Sequence, residues 1–120
     1  MAAKVYDFEI TQQETADITQ EFYDDNNLPR ALTGNDFKLD CKLNPNLPDV
    51  LFTMTTTNGD ITIDGTQSNK IHINFTHNLT KGLNFPQGYY DLIMFDGAKT
   101  NVEVMMTGTI KLNKTITKLL

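Results

Sequence analysis

The segment Phe37-Lys38-Leu39-Asp40-Cys41-Lys42-Leu43 alternates strictly between apolar and charged side chains. Because successive side chains of a strand point to opposite faces, this pattern predicts a β-strand that is buried on one face. We expect Phe37, Leu39, Cys41 and Leu43 to point inward. Cys41 is the single cysteine of the chain, so no intrachain disulfide can form. Its place on the apolar face favours a small buried hydrophobe over a catalytic nucleophile.

Other period-two runs recur along the chain and are separated by turn signals. The seventeen threonines against five alanines favour strands over helices. About eight strands with turn signals every 8–12 residues predict an antiparallel sandwich or barrel, and a helix-containing α+β fold is the weaker alternative. The predicted strands span residues 5–10, 15–23, 37–43, 50–56, 60–63, 70–75, 89–95 and 101–112.

Three local patterns carry further expectations. Asn58-Gly59 is the strongest short hairpin signal in the chain. The apolar run 89–95 predicts a central strand that is covered on both faces. Residues 77–84 could hold one helical turn that packs Leu79 and Leu83, and Val50 is expected inward at the start of its strand.

Length and charge limit the classes of function. The 120 residues predict a single β-sandwich domain over residues 1–120, and the net charge is −5 with a pI near 4.8. This acidic balance argues against nucleic-acid partners and against docking on an anionic membrane. The chain has no apolar run of the roughly 18 residues that would span a bilayer. Met1-Ala2-Ala3-Lys4 lacks an apolar h-region, so we expect no secretory signal.

The sequence predicts no catalytic residue, cofactor or metal. The two histidines, His72 and His77, have no third zinc ligand beside them. Nucleotide-binding glycine motifs and a nucleophile elbow around the single serine are also absent. A carboxylate pair for glycoside hydrolysis stays open, although the chain has no tryptophan for a sugar platform. Acidic residues that lie near glycine or asparagine are typical of turns, and this interpretation is favoured over a calcium site. These residues are Asp24, Asp25, Asp60, Asp64 and Asp96.

Four exposed residues near edges and loops are candidates for a protein interface: Tyr23, Asp25, Tyr89 and Met105. Aromatic residues are enriched at interfaces, and Tyr89 and Tyr90 must point to opposite faces of one strand. In the last strand, Met106 is expected to continue the face of Val102 and Val104. Met105 then falls on the other face, where a flexible thioether suits an adaptable contact and coverage by a neighbouring loop is the alternative.

The order of these features resembles a family of small bacteriophage virion proteins, typified by the N-terminal domain of phage baseplate upper proteins. The resemblance covers nearly the whole chain. It consists mostly of turn chemistry and strand alternation. The chain departs from the pattern in placing Tyr89 directly after Gly88 and in a less typical ending after Leu112. The segments that carry it include Tyr6-Asp7-Phe8-Glu9-Ile10, Leu32-Thr33-Gly34, Asn58-Gly59-Asp60, Gly88-Tyr89-Tyr90-Asp91-Leu92 and Thr107-Gly108-Thr109-Ile110.

The resemblance implies an all-β fold, an immunoglobulin-like antiparallel β-sandwich of about 7–9 strands. It implies a structural role in the virion, as an adaptor in the tail, baseplate or fibre-attachment region. The expected partners are other virion proteins, with self-association into a symmetric oligomer left open, and the expected location is the virion, assembled in the host cytoplasm. The alternatives are a glycan-binding module for host recognition and a phage protein that inhibits a host protein. A small hydrolase ranks last.

Overall fold

The computed structural model describes residues 3–117 as two β-sheets packed face to face, with one short helix, α1 (His77–Thr80). The larger sheet contains β1 (Lys4–Val5), β2 (Phe8–Thr11), β4 (Asp36–Lys42), β5 (Phe52–Thr55), β8 (Gln87–Phe95) and β9 (Val102–Asn113). The smaller sheet contains β3 (Ala16–Glu21), β6 (Ile61–Ile63) and β7 (Lys70–Phe75). Within residues 3–117, no helix is long and apolar enough to cross a membrane.

The strand order is that of an immunoglobulin-like sandwich. The larger sheet runs β1–β9–β8–β4–β5, with β2 also paired to β9, and the smaller sheet runs β3–β7–β6. Neighbours are antiparallel, except that β1 and β2 run parallel to β9. Strands B, E and D of an immunoglobulin domain likewise form one sheet, as β3, β7 and β6 do here, and strands C, F and G form the other, as β4, β8 and β9 do. The predicted fold class is confirmed.

The core lies between the inner faces of the two sheets. Phe37, Leu39 and Cys41 of β4 are buried as their alternation predicted, and Ile71 and Ile73 of β7 face them from the other sheet. Burial raises the pKa of the Cys41 thiol to about 12, which keeps it protonated near neutral pH. Cys41 is therefore a packing residue.

β4 ends one residue earlier than the sequence pattern predicts, and β5 begins two residues later. Leu43 and Val50 are exposed, so their inward placement is wrong. β4 ends at Lys42 and β5 begins at Phe52, and the intervening loop carries both side chains away from the core. The helical turn at α1 is confirmed, with Leu83 buried behind it.

The Asn58-Gly59 turn does not form the predicted hairpin. Gly59 has the positive φ of +82° that glycine tolerates well, and the Asp60 N–H donates to the Thr55 carbonyl. β5 pairs with β4, however, while β6 pairs with β7 in the other sheet. The turn therefore carries the chain from one sheet to the other.

Strand β8 is central, but it is not covered on both faces. It lies between β4 and β9, and its residues alternate between buried and more exposed positions. Tyr90 points into the core and Tyr89 points outward, as expected for adjacent strand residues. The outer face of the larger sheet is therefore open along β8.

A β-bulge in β9 overturns the predicted phase of that strand. Leu92 pairs with Met106 and Ile93 pairs with Val104, which leaves Met105 as the extra residue. Because one extra residue inverts the alternation, Val102 and Val104 point outward while Met106 points inward. Met105 is 3% exposed, so the expectation that it is exposed is wrong.

The N-terminal segment runs along the edge of β9 as two short strands, β1 and β2, which are separated by Tyr6 and Asp7. The Tyr6 N–H donates to the Thr107 carbonyl, and Asp7 Oδ1 accepts the Thr109 N–H. Gly108 lies between these contacts, where a Cβ atom would overlap the Tyr6 carbonyl. This close approach lets β2 pack against the core while β1 lies at the other end of the β9 edge.

Candidate functional site

Strand β3 is an edge of the smaller sheet, because it pairs with β7 and with no other strand in the described part of the chain. The Phe22 N–H donates to the Asn69 carbonyl on the β7 side. Backbone groups of alternate residues in a strand point to opposite sides, so those of Asp17, Thr19 and Glu21 point away from β7. These groups form an edge that can pair with a further strand.

A cleft of about 540 Å³ opens at this edge, between the end of β3 and the bulged part of β9. We call it the β3 cleft and define it by five of its lining residues: Lys4, Gln20, Phe22, Tyr23 and Met105. Phe22 and Met105 are buried and give the cleft an apolar floor. The β3 cleft therefore combines an open strand edge with an apolar surface.

Gln20 is the unusual residue of the β3 cleft. It occupies an inward position of β3 and is 7% exposed. Its Oε1 has no hydrogen-bond partner among residues 3–117. Because buried polar groups are nearly always paired, an unpaired acceptor in a cleft wall indicates a place where a donor is missing.

Charged groups surround the mouth of the β3 cleft. Lys4 Nζ lies 5.7 Å from the centre of the Phe22 ring and donates to the Glu21 carbonyl at 3.4 Å. Tyr23 Oη donates to Glu21 Oε2 at 2.6 Å, and this hydrogen bond to a carboxylate raises the pKa of Tyr23. Glu21 therefore links both sides of the mouth.

An ion pair closes the far side of the β3 cleft. Arg30 donates two hydrogen bonds to Glu103, from Nη2 to Oε1 at 2.7 Å and from Nη1 to Oε2 at 2.8 Å. This bidentate contact raises the pKa of Arg30 and lowers that of Glu103. It fixes the loop after β3 to the start of β9, and so holds the cleft wall in place.

A second surface lies on the outer face of the larger sheet. Ile93 pairs with Val104, and Phe95 pairs with Val102, so these four side chains share one face. Val102 and Val104 are exposed, and Ile93 and Phe95 are half-buried. We call this group the outer patch. Apolar residues grouped on a surface are typical of protein interaction sites.

The structure brings two of the four predicted interface residues together. Tyr23 is exposed and Met105 is buried, and both line the β3 cleft. Asp25 is exposed in the adjacent turn, beside the Arg30–Glu103 pair. Tyr89 is exposed on the outer face of the larger sheet, so it belongs to a different surface.

Gln20 was not among the predicted site residues. Gln20 has the same period-two spacing as Ala16, Ile18 and Phe22, which are apolar. A polar residue on an apolar face was the available signal. Whether its side chain has a partner depends on distant residues, which a sequence pattern does not locate.

The acidic turns bind their own backbones. Asp24 Oδ1 accepts the Asn26 and Leu28 N–H groups, and Asp96 and Asp64 accept N–H groups from their own turns in the same way. No group of three or more potential metal ligands occurs among residues 3–117. The turn interpretation of these aspartates is therefore confirmed for Asp24, Asp64 and Asp96.

His72 lies on the outer face of the smaller sheet between two aspartates. Its Nδ1 is 3.2 Å from Asp17 Oδ2, and its Nε2 is 2.8 Å from Asp64 Oδ2. The hydrogen bond to Asp64 is the main cause of the raised pKa of His72, and the same contact holds the pKa of Asp64 well below its usual range. This cluster ties β3 to β7.

Comparison with known proteins finds no family model that matches the chain and no matching curated protein.

Proposed function

We propose that the chain is a phage virion structural protein, an adaptor of the tail, baseplate or fibre-attachment region that acts through protein–protein contacts. Two kinds of support combine. The sequence resembles small virion proteins with an immunoglobulin-like domain, and the fold offers surfaces suited to protein partners. The virion role rests on the resemblance, and the binding role rests on the structure.

The outer patch is the observation that carries the binding role. Ile93, Phe95, Val102 and Val104 lie together on a sheet face that no described element covers. Next to them, β4 presents Lys38 and other charged side chains on the same face. An apolar centre with a charged border is the usual anatomy of a protein interface.

The virion role is tested by the protein composition of purified phage particles. Particles purified on a density gradient from the source culture are expected to contain the chain, in a constant ratio to the tail proteins, when analysed by quantitative mass spectrometry. If the chain is absent from infectious particles, the virion proposal is wrong. Recovery of the chain with one host protein instead would favour the inhibitor alternative.

The contribution of the outer patch is tested with a matched pair of variants. Val104 and Val50 are both 42% exposed, but Val50 lies in the loop before β5. In particles made by complementing a deletion of the gene, Val104→Lys is expected to lower incorporation severalfold, since a charge is costly at an apolar contact. Val50→Lys is expected to leave incorporation unchanged. Equal incorporation of both variants would remove the outer patch from the proposal.

A further inference from the structure

The free backbone groups of β3 define what kind of ligand fits beside them. Asp17, Thr19 and Glu21 present their N–H and C=O groups away from β7, at the two-residue spacing of a strand. An extended peptide has complementary groups at that spacing. In the described structure, the Glu21 carbonyl is met by the Lys4 side chain rather than by a strand.

The side chain of Gln20 adds a requirement for a donor. Its Oε1 is enclosed and unpaired among the described residues. The terminal torsion of a glutamine is broad and roughly two-fold, so rotation of the amide can turn this acceptor toward the cleft. A ligand that carries N–H groups would satisfy it, whereas a hydrocarbon ligand would leave it unpaired.

The charges of the β3 cleft indicate the side chains of the ligand. Its lining contains the carboxylates of Glu21, Asp24 and Glu103 against the single ammonium of Lys4. Although Glu103 is paired with Arg30 and Glu21 lies 4.0 Å from the Lys70 ammonium, Asp24 and Asp25 have no ion pair among the described residues and keep the mouth acidic. Basic side chains are therefore favoured at positions that face the mouth, with apolar ones over Phe22 and Met105.

We propose that the β3 cleft binds an extended, basic segment of a partner protein, which adds as a strand to the open edge of β3 and donates a hydrogen bond to Gln20. This inference rests on the proposed function as a protein-binding adaptor and specifies one of its contacts. The added strand displaces the Lys4 ammonium from the Glu21 carbonyl. It extends the smaller sheet from three strands to four.

The test uses the purified full chain and a defined probe, a fluorescein-labelled hexapeptide of alternating lysine and valine. Fluorescence anisotropy is expected to show saturable binding at peptide concentrations below about 1 mM. Amide hydrogen exchange by NMR is expected to show new protection at Asp17, Thr19 and Glu21. Two control peptides, one with glutamate in place of lysine and one with alternate backbone nitrogens methylated, are expected to bind more weakly.

Gln20→Met is the decisive variant, because methionine keeps the length of the side chain and removes the acceptor. It is expected to weaken peptide binding about fivefold, the usual loss for one hydrogen bond, while the melting temperature rises. The matched control is Gln12→Met, which alters another buried glutamine far from the cleft and is expected to leave peptide affinity unchanged. Its melting temperature shows whether the fold tolerates such a change.

Several outcomes would overturn the proposal. These are absence of saturable binding, equal binding of the methylated peptide, or protection confined to other strands. If sedimentation shows that the chain alone forms a dimer that the peptide dissociates, the occupant is a second copy and the partner segment is wrong. Because these measurements need no virion, failure of the particle experiment and failure of the peptide experiment can be told apart.

Discussion

Two buried glutamines mark opposite ends of the gap between the sheets. Gln12 is 8% exposed, its Nε2 donates to the Leu83 carbonyl at 3.0 Å, and its Oε1 accepts the Thr115 N–H at 3.4 Å. Gln20 is as deeply buried, but its Oε1 has no partner in the described part of the chain. At one end of the sandwich the buried amide is hydrogen-bonded to other parts of the chain. At the other end the amide oxygen has no described partner.

The difference follows from how the N-terminal segment covers the edge. β2 has four residues on β9 and buries Phe8 and Ile10, and the turn after it places Gln12 against the segment behind α1. β1 has two residues on β9, and both are exposed. An end covered by a well-packed strand has its polar groups paired internally, whereas the end beside β1 has a cleft.

The largest expected effect comes from disrupting the contact between Gly108 and Tyr6, where the N-terminal segment passes from β1 to β2. Gly108→Ala would place a methyl group on the Tyr6 carbonyl, which also accepts the Tyr90 hydroxyl hydrogen bond. Backbone would have to move, so we expect a loss of about 3 kcal/mol in the free energy of unfolding. Urea unfolding followed by fluorescence measures it.

Gly97→Ala is the matched control for that experiment. Nothing lies within 4 Å of a Cβ atom built at Gly97, which is in an exposed turn. The substitution is expected to change stability by no more than about 0.5 kcal/mol. If Gly108→Ala changed stability as little, the contact between Gly108 and Tyr6 would not hold the N-terminal segment in place. The difference between the Gln12 end and the Gln20 end of the sandwich would then need another cause.

The second prediction concerns the Gln12 end of the sandwich. Gln12→Met removes the donor to the Leu83 carbonyl and leaves that carbonyl without its glutamine partner. Leaving a buried polar group unsatisfied costs about 2 kcal/mol, so the free energy of unfolding should fall by that amount. Chemical denaturation with an unchanged m-value would confirm it. A neutral result would mean that water replaces the glutamine and that this end is less closed than its contacts indicate.

The third prediction has the opposite sign. Gln20→Met removes an acceptor that has no described partner, so the free protein should gain stability, by about 1 kcal/mol. The same denaturation experiment, run beside Gln12→Met, compares two identical substitutions at two buried sites. Destabilisation by both variants would show that Gln20 Oε1 has a hydrogen-bond partner in solution. The β3 cleft would then not require a donor from a ligand.

Local alternation predicted much of the fold. Three features with a short-range cause were right: the inward face of β4 at Phe37, Leu39 and Cys41, the strand over residues 70–75 and the helical turn at α1. Leu43 and Val50 were wrong because an alternating pattern does not mark where ladder pairing stops. The Asn58-Gly59 turn was wrong because the sheet in which β6 pairs depends on distant partners.

The candidate site was less predictable than the fold. Tyr23 was identified as exposed and lies at the mouth of the β3 cleft, but Met105 was placed outside because the bulge in β9 was not foreseen. A bulge needs one strand to be longer than its partner, which the sequence of a single strand does not reveal. The unpaired state of Gln20 depends on what β1 leaves uncovered, and that is settled by packing.

The smallest predicted effect concerns how β3 is held from its outer side. His72 bridges Asp17 of β3 and Asp64, and its pKa is raised by these hydrogen bonds. A raised pKa contributes stability that is complete below the unfolded value of about 6.5 and is lost as pH rises through the folded value. Asp64 has a lowered pKa, so its contribution is present above about pH 3.9 and is lost as pH falls through its folded value.

The melting temperature should therefore fall between about pH 6 and about pH 8, and calorimetry at both values measures the slope. His72→Gln is expected to flatten it, and so is Asp64→Asn, which keeps an oxygen to accept the N–H groups of its own turn. A slope that survives both substitutions would place the pH dependence elsewhere. If the slope disappears in both variants, protonation of His72 stabilises the contact between β3 and β7 on the outer face of the smaller sheet. The free backbone groups of β3 lie on its opposite edge, so the stability of the fold can be varied without blocking the β3 cleft.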